Sequence, residues 1–192
     1  MNIGLIIGIV IGAIFLILLI SIIGWYIGKM NFFRKMQVKI NEAASGIDVA
    51  LTKRFDLLSK QYNIVKGYAK HENETLVDVA KMRAGYHEGG TDVKAMNDFN
   101  GQMDNLAKGI NIVVERYPEL KADKMFISLT NSCTDVEEHI QASRRIYNAD
   151  VSTYNQAIVS FPGSIVANHI HATPAEFFKA EEAKRQDVKM EF

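Results

Sequence analysis

Among the residues able to do chemistry, the histidines come first. His71-Glu72 opens as a zinc-protease His-Glu-x-x-His would, but position 75 is Thr75, so the second imidazole on the same helical face is missing. His169-Ile170-His171 could pair two imidazoles on a loop or extended segment, yet no Cys or carboxylate stands beside them at ligand spacing. No Glu lies three residues before any His, which removes the Glu-x-x-His pairs of a di-iron bundle. Cys133 falls on an apolar seam, the setting of a buried reduced thiol and not of a nucleophile. Neither a Gly-x-x-x-x-Gly-Lys-Ser/Thr loop nor a Gly-x-Gly-x-x-Gly turn after a strand is present to cradle phosphates. The expectation is a protein that is not an enzyme, with no catalytic residue, no cofactor and no metal site.

A second polar set lies beside the apolar positions: Asp48, Arg54, Asp56, Arg83, Arg144, Asn148 and Asn155. A charge taken from water costs several kcal/mol unless it is paired, so these residues must meet each other or reach solvent. Tyr147-Asn148 and Tyr154-Asn155 repeat at a heptad interval, which stacks both pairs on one helical stripe. A polar network between helices that fixes their register is the expectation; a ligand or partner site is the alternative. Arg144-Arg145, set among Glu137, Glu138 and Asp150, reads as a solvated face with local ion pairs and not as a phosphate site.

The elements that must position these residues begin in a membrane. No Asp, Glu, Lys, Arg or His precedes Lys29, and Ile3 to Ile27 is a run of uncharged, mostly apolar residues. About 25 residues at roughly 1.5 Å each exceed a hydrocarbon core of about 30 Å. A cleaved signal peptide would want a basic start, a shorter apolar core and a small-x-small cleavage site, and none is present. Trp25 and Tyr26 suit the headgroup level, and Lys29, Arg34, Lys35 and Lys39 follow at once. This positive-inside bias predicts a single-pass membrane protein, N-terminus outside and main domain cytoplasmic. The four basic residues are placed to bind anionic headgroups at about 1 kcal/mol each. Gly4, Gly8 and Gly12 form a stripe that either packs helices together or is the ordinary glycine content of a membrane helix.

Beyond the membrane the pattern is helical, with no alternating strand signal. Met36, Ile40, Ala43, Ile47, Leu51, Leu58, Tyr62, Val65 and Ala69 keep a three-to-four spacing that no Pro interrupts, so span and first cytoplasmic helix can be one rod, softened at Gly28 or Asn31. His71 to Asn73 reads as a turn before a short helix carrying Leu76, Val79, Ala80 and Arg83. Gly85 and Gly89-Gly90 break the pattern, and Thr91 or Asp92 caps a third helix from Val93 to Tyr117, ended by Pro118. The longest seam runs from Phe126 through Cys133, Val136, Ile140, Tyr147 and Tyr154 to Phe161, before Pro162-Gly163. Thr173-Pro174-Ala175-Glu176 has the form of a cap opening a final short helix. The predicted fold is all-α: an N-terminal transmembrane helix followed by an antiparallel, four-helix-like bundle of long helices with coiled-coil-type spacing, and a short C-terminal helix. The divisions are 1–28 for the anchor, 29–162 for the bundle, and 163–192 for a loop and the short helix.

Ordered stretches along this frame resemble the LemA family. They include Asn41-Glu42-Ala43, Ile47-Asp48-Val49, Lys53-Arg54-Phe55-Asp56-Leu57 and Val65-Lys66-Gly67-Tyr68-Ala69-Lys70-His71-Glu72. Later come Tyr117-Pro118-Glu119-Leu120-Lys121-Ala122, Arg144-Arg145, Tyr147-Asn148, Tyr154-Asn155, Phe161-Pro162 and Pro174-Ala175-Glu176-Phe177-Phe178. The resemblance implies a bacterial membrane-anchored helical bundle with no established enzymatic activity or cofactor. Ser59-Lys60 departs from the Pro-Asn pair usual in the family, as does the glycine-rich turn from Gly85 to Gly90.

Charge narrows the partners. With 22 Lys plus Arg against 22 Asp plus Glu, no overall field gathers nucleic acid, and no local basic patch with aromatic interleaving supplies one. One Cys cannot form an intramolecular disulfide. The bilayer, a second copy of the chain, and a membrane or cytoplasmic protein remain as partners. The functional expectation is a membrane-anchored scaffold or assembly protein; the alternative is a membrane-stress or signalling element that passes a membrane change through the first helix.

Overall fold

A computed structural model describes residues 3–68 and 79–178 of the chain. Its first element, α1, runs from Ile3 to Tyr68 as one helix that continues through Gly28 and Asn31. No Pro lies in this length to remove a backbone donor or displace a carbonyl. The short α2 spans Val79–Ala84, α3 spans Val93–Arg116, a 3₁₀ turn covers Pro118–Ala122, α4 spans Lys124–Val159 and α5 spans Gly163–His169. Among the described residues there is no strand.

The ends follow from local chemistry. Asp92 accepts from the Lys94 and Ala95 amides at 2.9 and 3.3 Å, satisfying two of the donors a helix start leaves open. Pro118 closes α3 and starts the tighter turn. Asp123 then accepts from the Phe126 amide at 2.8 Å and opens α4. Just past the end of α5, His171 has a φ of 52°, in the left-handed region, and Ala172 donates back to the Ala167 carbonyl at 2.9 Å. This six-to-one closure usually employs glycine.

The chain groups into two compact units. One comprises Met1–Lys39 with Asp150–Ala175. Its helix α1 carries the stretch long and apolar enough to cross a membrane, and none of that stretch is buried. Phe33 and Met36 are buried, and the Phe33 ring meets Tyr154 edge-on at 6.1 Å. The other unit comprises Ile40–Ala149 with Glu176–Phe192. Its core is the predicted seam: Ile47 and Leu51 of α1, Met103 and Ile110 of α3, and Val136 and Ile140 of α4 are almost fully buried. Gln61 bonds to Thr130 and Arg54 reaches Glu137, so α4 runs antiparallel to α1 here.

Three expectations are corrected. Phe161 is not the end of the α4 seam: the helix stops at Val159, and Phe161 is 82% exposed in the turn that follows. Cys133 is half-buried beside a groove and not enclosed in the core. The Thr173 cap opens no helix over residues 173–178, which run without regular structure; the short C-terminal helix is α5, immediately after Pro162. The backbone of 175–178 bonds instead to α4 side chains, described below. The turn at His71–Asn73 with Leu76, and the rest of the tail helix, lie outside the described residues.

Candidate functional site

Arg54 is the hub of the larger unit. The i, i+4 pattern of α1 leaves it between two seam residues, Leu51 and Leu58, so its stem is drawn inward and its guanidinium must find acceptors. Asn100 and Asp104 on α3 accept from it at 2.7 and 2.6 Å, and Glu137 Oε2 on α4 lies at 3.3 Å. One planar cation therefore joins three helices at an 11% exposed position. Beside it is a groove of about 590 Å³, walled by Leu58, Ile110, Val114 and Phe126. Gln61 donates to Thr130 Oγ1 at 2.9 Å, and the Cys133 thiol points to Gln61 Oε1 at 3.7 Å. Burial pushes the Cys133 thiol up, against a smaller opposing pull from Arg54. Its hydrogen-bond partner is an amide and not an imidazole, so this pair lacks the base that activates a catalytic thiol.

Asp48, on α1, is 4% exposed and serves the glycine-rich turn. It accepts from the Tyr86 hydroxyl in a short hydrogen bond and from the Gly89 amide at 2.8 Å. Gly89 has φ of 83°, which a side chain would oppose. The Tyr86 ring stacks on Phe99 at 4.0 Å, and burial first, then the Asp48 bond, pushes its hydroxyl far above the ordinary value of 10.0. Arg83 of α2 bonds Asp56 at 3.0 Å and Glu88 at 2.9 Å, all exposed. The sequence marked this stretch as a break and missed Tyr86, although a lone Tyr between a helix end and a Gly-Gly pair was its available signal.

The Tyr-Asn stripe of α4 has a different job from the one expected. In the larger unit Asn148 exchanges two hydrogen bonds with the backbone of Phe178, at 2.9 and 3.0 Å, and the Tyr147 hydroxyl donates to the Glu176 carbonyl at 2.8 Å. Arg144, buried, stands 4.7 Å from the Phe178 ring centroid. In the smaller unit Asn155 exchanges the same two bonds with Ala175, at 2.8 and 2.9 Å, while Tyr154 packs on Phe33. These amides act as a ladder for an extended segment, not as links between helices; Arg54 and the Asp56–Arg83 pair do link helices. Burial raises the hydroxyls of both Tyr147 and Tyr154.

The LemA family matches residues 43–192. The chain belongs to the LemA family. "Protein LemA" of Metamycoplasma hominis is 30% identical over 176 residues, covering 91% of this chain and 80% of that one. "Magnetosome protein MamQ 2" of Paramagnetospirillum magneticum is 30% identical over 90 residues, 47% of this chain and 33% of that longer protein. "Magnetosome protein MamQ" of Magnetospirillum gryphiswaldense is 28% identical over 90 residues, 47% of this chain and 33% of that one. None of these names carries an enzymatic activity.

The family match begins at Ala43, past the apolar stretch, so the LemA region holds Asp48, Arg54 and the Tyr-Asn stripe. Family and apolar helix together point to a membrane-anchored LemA-type protein. Along its anchor, a Cβ added at Gly4, Gly8 or Gly12 would meet no atom within 4 Å beyond its own helical turn. Trp25 and Tyr26 are half-exposed, and the Tyr26 ring meets His169 edge-on at 5.9 Å. Lys29 lies 5.4 Å from the Phe32 ring centroid, and Arg34, Lys35 and Lys39 are exposed. His169 is thus engaged in a ring contact while His171 closes α5. Among the described residues, no group of three or more His, Cys, Asp or Glu could hold a metal ion.

Proposed function

We propose that this LemA protein is a non-enzymatic scaffold of the bacterial cytoplasmic membrane. Its N-terminus lies outside, its helical bundle in the cytoplasm, and it self-associates through its anchor while the bundle docks partners. One observation carries the reading: Gly4, Gly8 and Gly12 recur every fourth residue, on one face of the α1 stretch that is apolar and unburied. In hydrocarbon, helices associate by close van der Waals approach, and three glycines on one face permit that approach. The basic residues from Lys29 to Lys39 support the orientation. The relatives named as magnetosome proteins share the matched stretch inside longer chains, which fits a structural unit used in more than one setting.

Light scattering of the full-length protein in a mild detergent tests self-association. A dimer or larger assembly is expected, reduced to a monomer by Gly4→Leu, Gly8→Leu and Gly12→Leu together. A monomeric parent chain would sink the reading.

A second reading, a signalling or membrane-stress element, is favoured by the unbroken course of α1 from Ile3 to Tyr68. A rigid helix carries rotation or translation along its length, and the Arg54 hub could adopt two packings. Cysteines introduced as Val49→Cys and His139→Cys, which line one shallow groove between α1 and α4, would then crosslink at rates that change with membrane tension. Rates that never change dispose of it.

A further inference from the structure

The end of α5 brings imidazoles to the level at which the apolar run of α1 stops. Within the smaller unit α5 lies along α1 and runs opposite to it. At its start, a Cβ on Gly163 would stand 3.9 Å from the tip of the Phe33 ring; at its end, the His169 ring meets the Tyr26 ring edge-on at 5.9 Å. Tyr26 stands at the close of the apolar run, so α5 descends toward the bilayer. From Tyr26 to Phe33 is about 10 Å at roughly 1.5 Å per residue, while the headgroup layer is on the order of 5–8 Å deep on each side. The start of α5 therefore stands clear of the lipid, and its last turn lies among the headgroups. A tilt of about 20° acting over a helix separation of about 8–10 Å moves this level by only about 3 Å.

Burial follows the same line. Every residue from Ile3 to Gly24 is exposed, and the first to be half-covered are Trp25, Tyr26, Lys29 and Met30, the turn of α1 that the end of α5 meets. Charge in this unit is one-sided. It holds Lys29, Arg34, Lys35 and Lys39 on α1 against one carboxylate, Asp150, which belongs to α4 and not to α5. His169 and His171 are both exposed. An imidazole donates one N–H when neutral and two when protonated. Lys29 follows Tyr26 by three residues, which makes the two neighbours on the helix surface. An anion at this level meets imidazole and ammonium donors, and no Asp or Glu lies between Asp150 and Glu176 to compete with it.

We infer that the last turn of α5 is a lipid-headgroup site, in which His169 and His171, with Lys29 of α1, hold the phosphate of an anionic phospholipid. The occupant is a lipid of the bilayer that α1 crosses. Basic side chains near an anionic membrane surface each contribute about 1 kcal/mol, and here two helices supply them at one level. The site ties the smaller unit to the membrane at a second point beside α1, and it selects anionic over zwitterionic lipid. The inference rests on reading Ile3 to Ile27 as a membrane span.

The test uses the full-length chain reconstituted in vesicles of phosphatidylcholine and phosphatidylglycerol. Trp25, the one Trp of the chain, reports on the lipid beside the site. Its quenching by phosphatidylglycerol brominated on the acyl chains, against quenching by brominated phosphatidylcholine, measures the preference for the anionic lipid. That preference is expected to fall about three-fold in His169→Gln with His171→Gln, and to return in His169→Arg with His171→Arg. An unchanged preference in the glutamine variant, or none regained in the arginine variant, overturns the site. Loss of the preference in sodium phosphate, but not in sodium chloride of equal ionic strength, would give the site to free phosphate and overturn the lipid assignment. Depth is read separately, in a Cys133→Ser background, from spin labels at Asn168→Cys, Ile14→Cys and Val49→Cys, all exposed positions. Collision with oxygen, which concentrates in lipid, is compared with collision with a water-soluble nickel chelate. The oxygen-to-nickel ratio at 168 is expected between those at 14 and 49. A ratio at 168 equal to that at 49, with 14 still lipidic, overturns the site and leaves the span standing. Water-like ratios at all three positions overturn the span reading itself.

Discussion

At the scale of the residue, Arg54 and Arg83 look alike in sequence and differ in consequence. Arg54 is 11% exposed, donates to Asn100 and Asp104 and stands 3.3 Å from Glu137 Oε2, on two other helices. Arg54→Leu is expected to destabilise the bundle by about 2 kcal/mol, because two partly buried carboxylates lose this cation. Arg83 and its partners are each about half exposed, and Arg83→Leu is expected to cost under about 1 kcal/mol. Urea unfolding in detergent, followed by circular dichroism, compares the two. Tyr86 adds a pH dependence. Its hydroxyl is raised above the ordinary 10.0 in the fold, so the stability it contributes is complete below pH 10 and falls as pH climbs toward the higher folded value. Tyr86→Phe is therefore expected to flatten the alkaline loss of stability; Tyr147 and Tyr154, raised in the same direction, retain part of it.

At the scale of the element, α5 and the segment after it are held by two devices open to substitution. His171 sits at φ 52° where the closure of α5 favours glycine. His171→Gly is expected to stabilise the protein by about 1 kcal/mol, seen as a raised thermal midpoint. Gly163 is the opposite case, since an added Cβ would meet the Ala157 carbonyl oxygen at 2.9 Å. Gly163→Ala must push α5 away and should lower the midpoint. The Asn ladder is a third element. Asn148→Ala removes both hydrogen bonds to Phe178, each contributing about 1 kcal/mol, and faster amide hydrogen exchange at Phe178 is the expected sign. Unchanged exchange there would mean that Tyr147 and Arg144 hold the segment without the amide.

At the scale of the whole molecule, the proposed orientation makes one demand on topology. In intact cells, a membrane-impermeant maleimide should not reach Val49→Cys in a Cys133→Ser background, and should label it once the inner face is opened. Labelling of intact cells would reverse the orientation. What the sequence determined by itself was everything governed by local rules. Solvent preference placed the apolar run, the absence of Pro allowed one long α1, Thr91 or Asp92 marked the start of α3, Pro118 ended it, and the three-to-four spacing named most of the core. Tertiary structure decided what local rules leave undetermined. Asn148 and Asn155 had to find partners, and spacing alone could not say whether those were side chains or backbone. Thr173-Pro174 carried a sound helix start, yet the backbone donors and acceptors of Ala175 and Phe178 were taken by the two asparagines. Phe161 obeyed the heptad and still faces outward, because the helix that would have turned it inward ends two residues earlier. A backbone group can bond locally or across the fold, and that choice depends on neighbours distant in sequence.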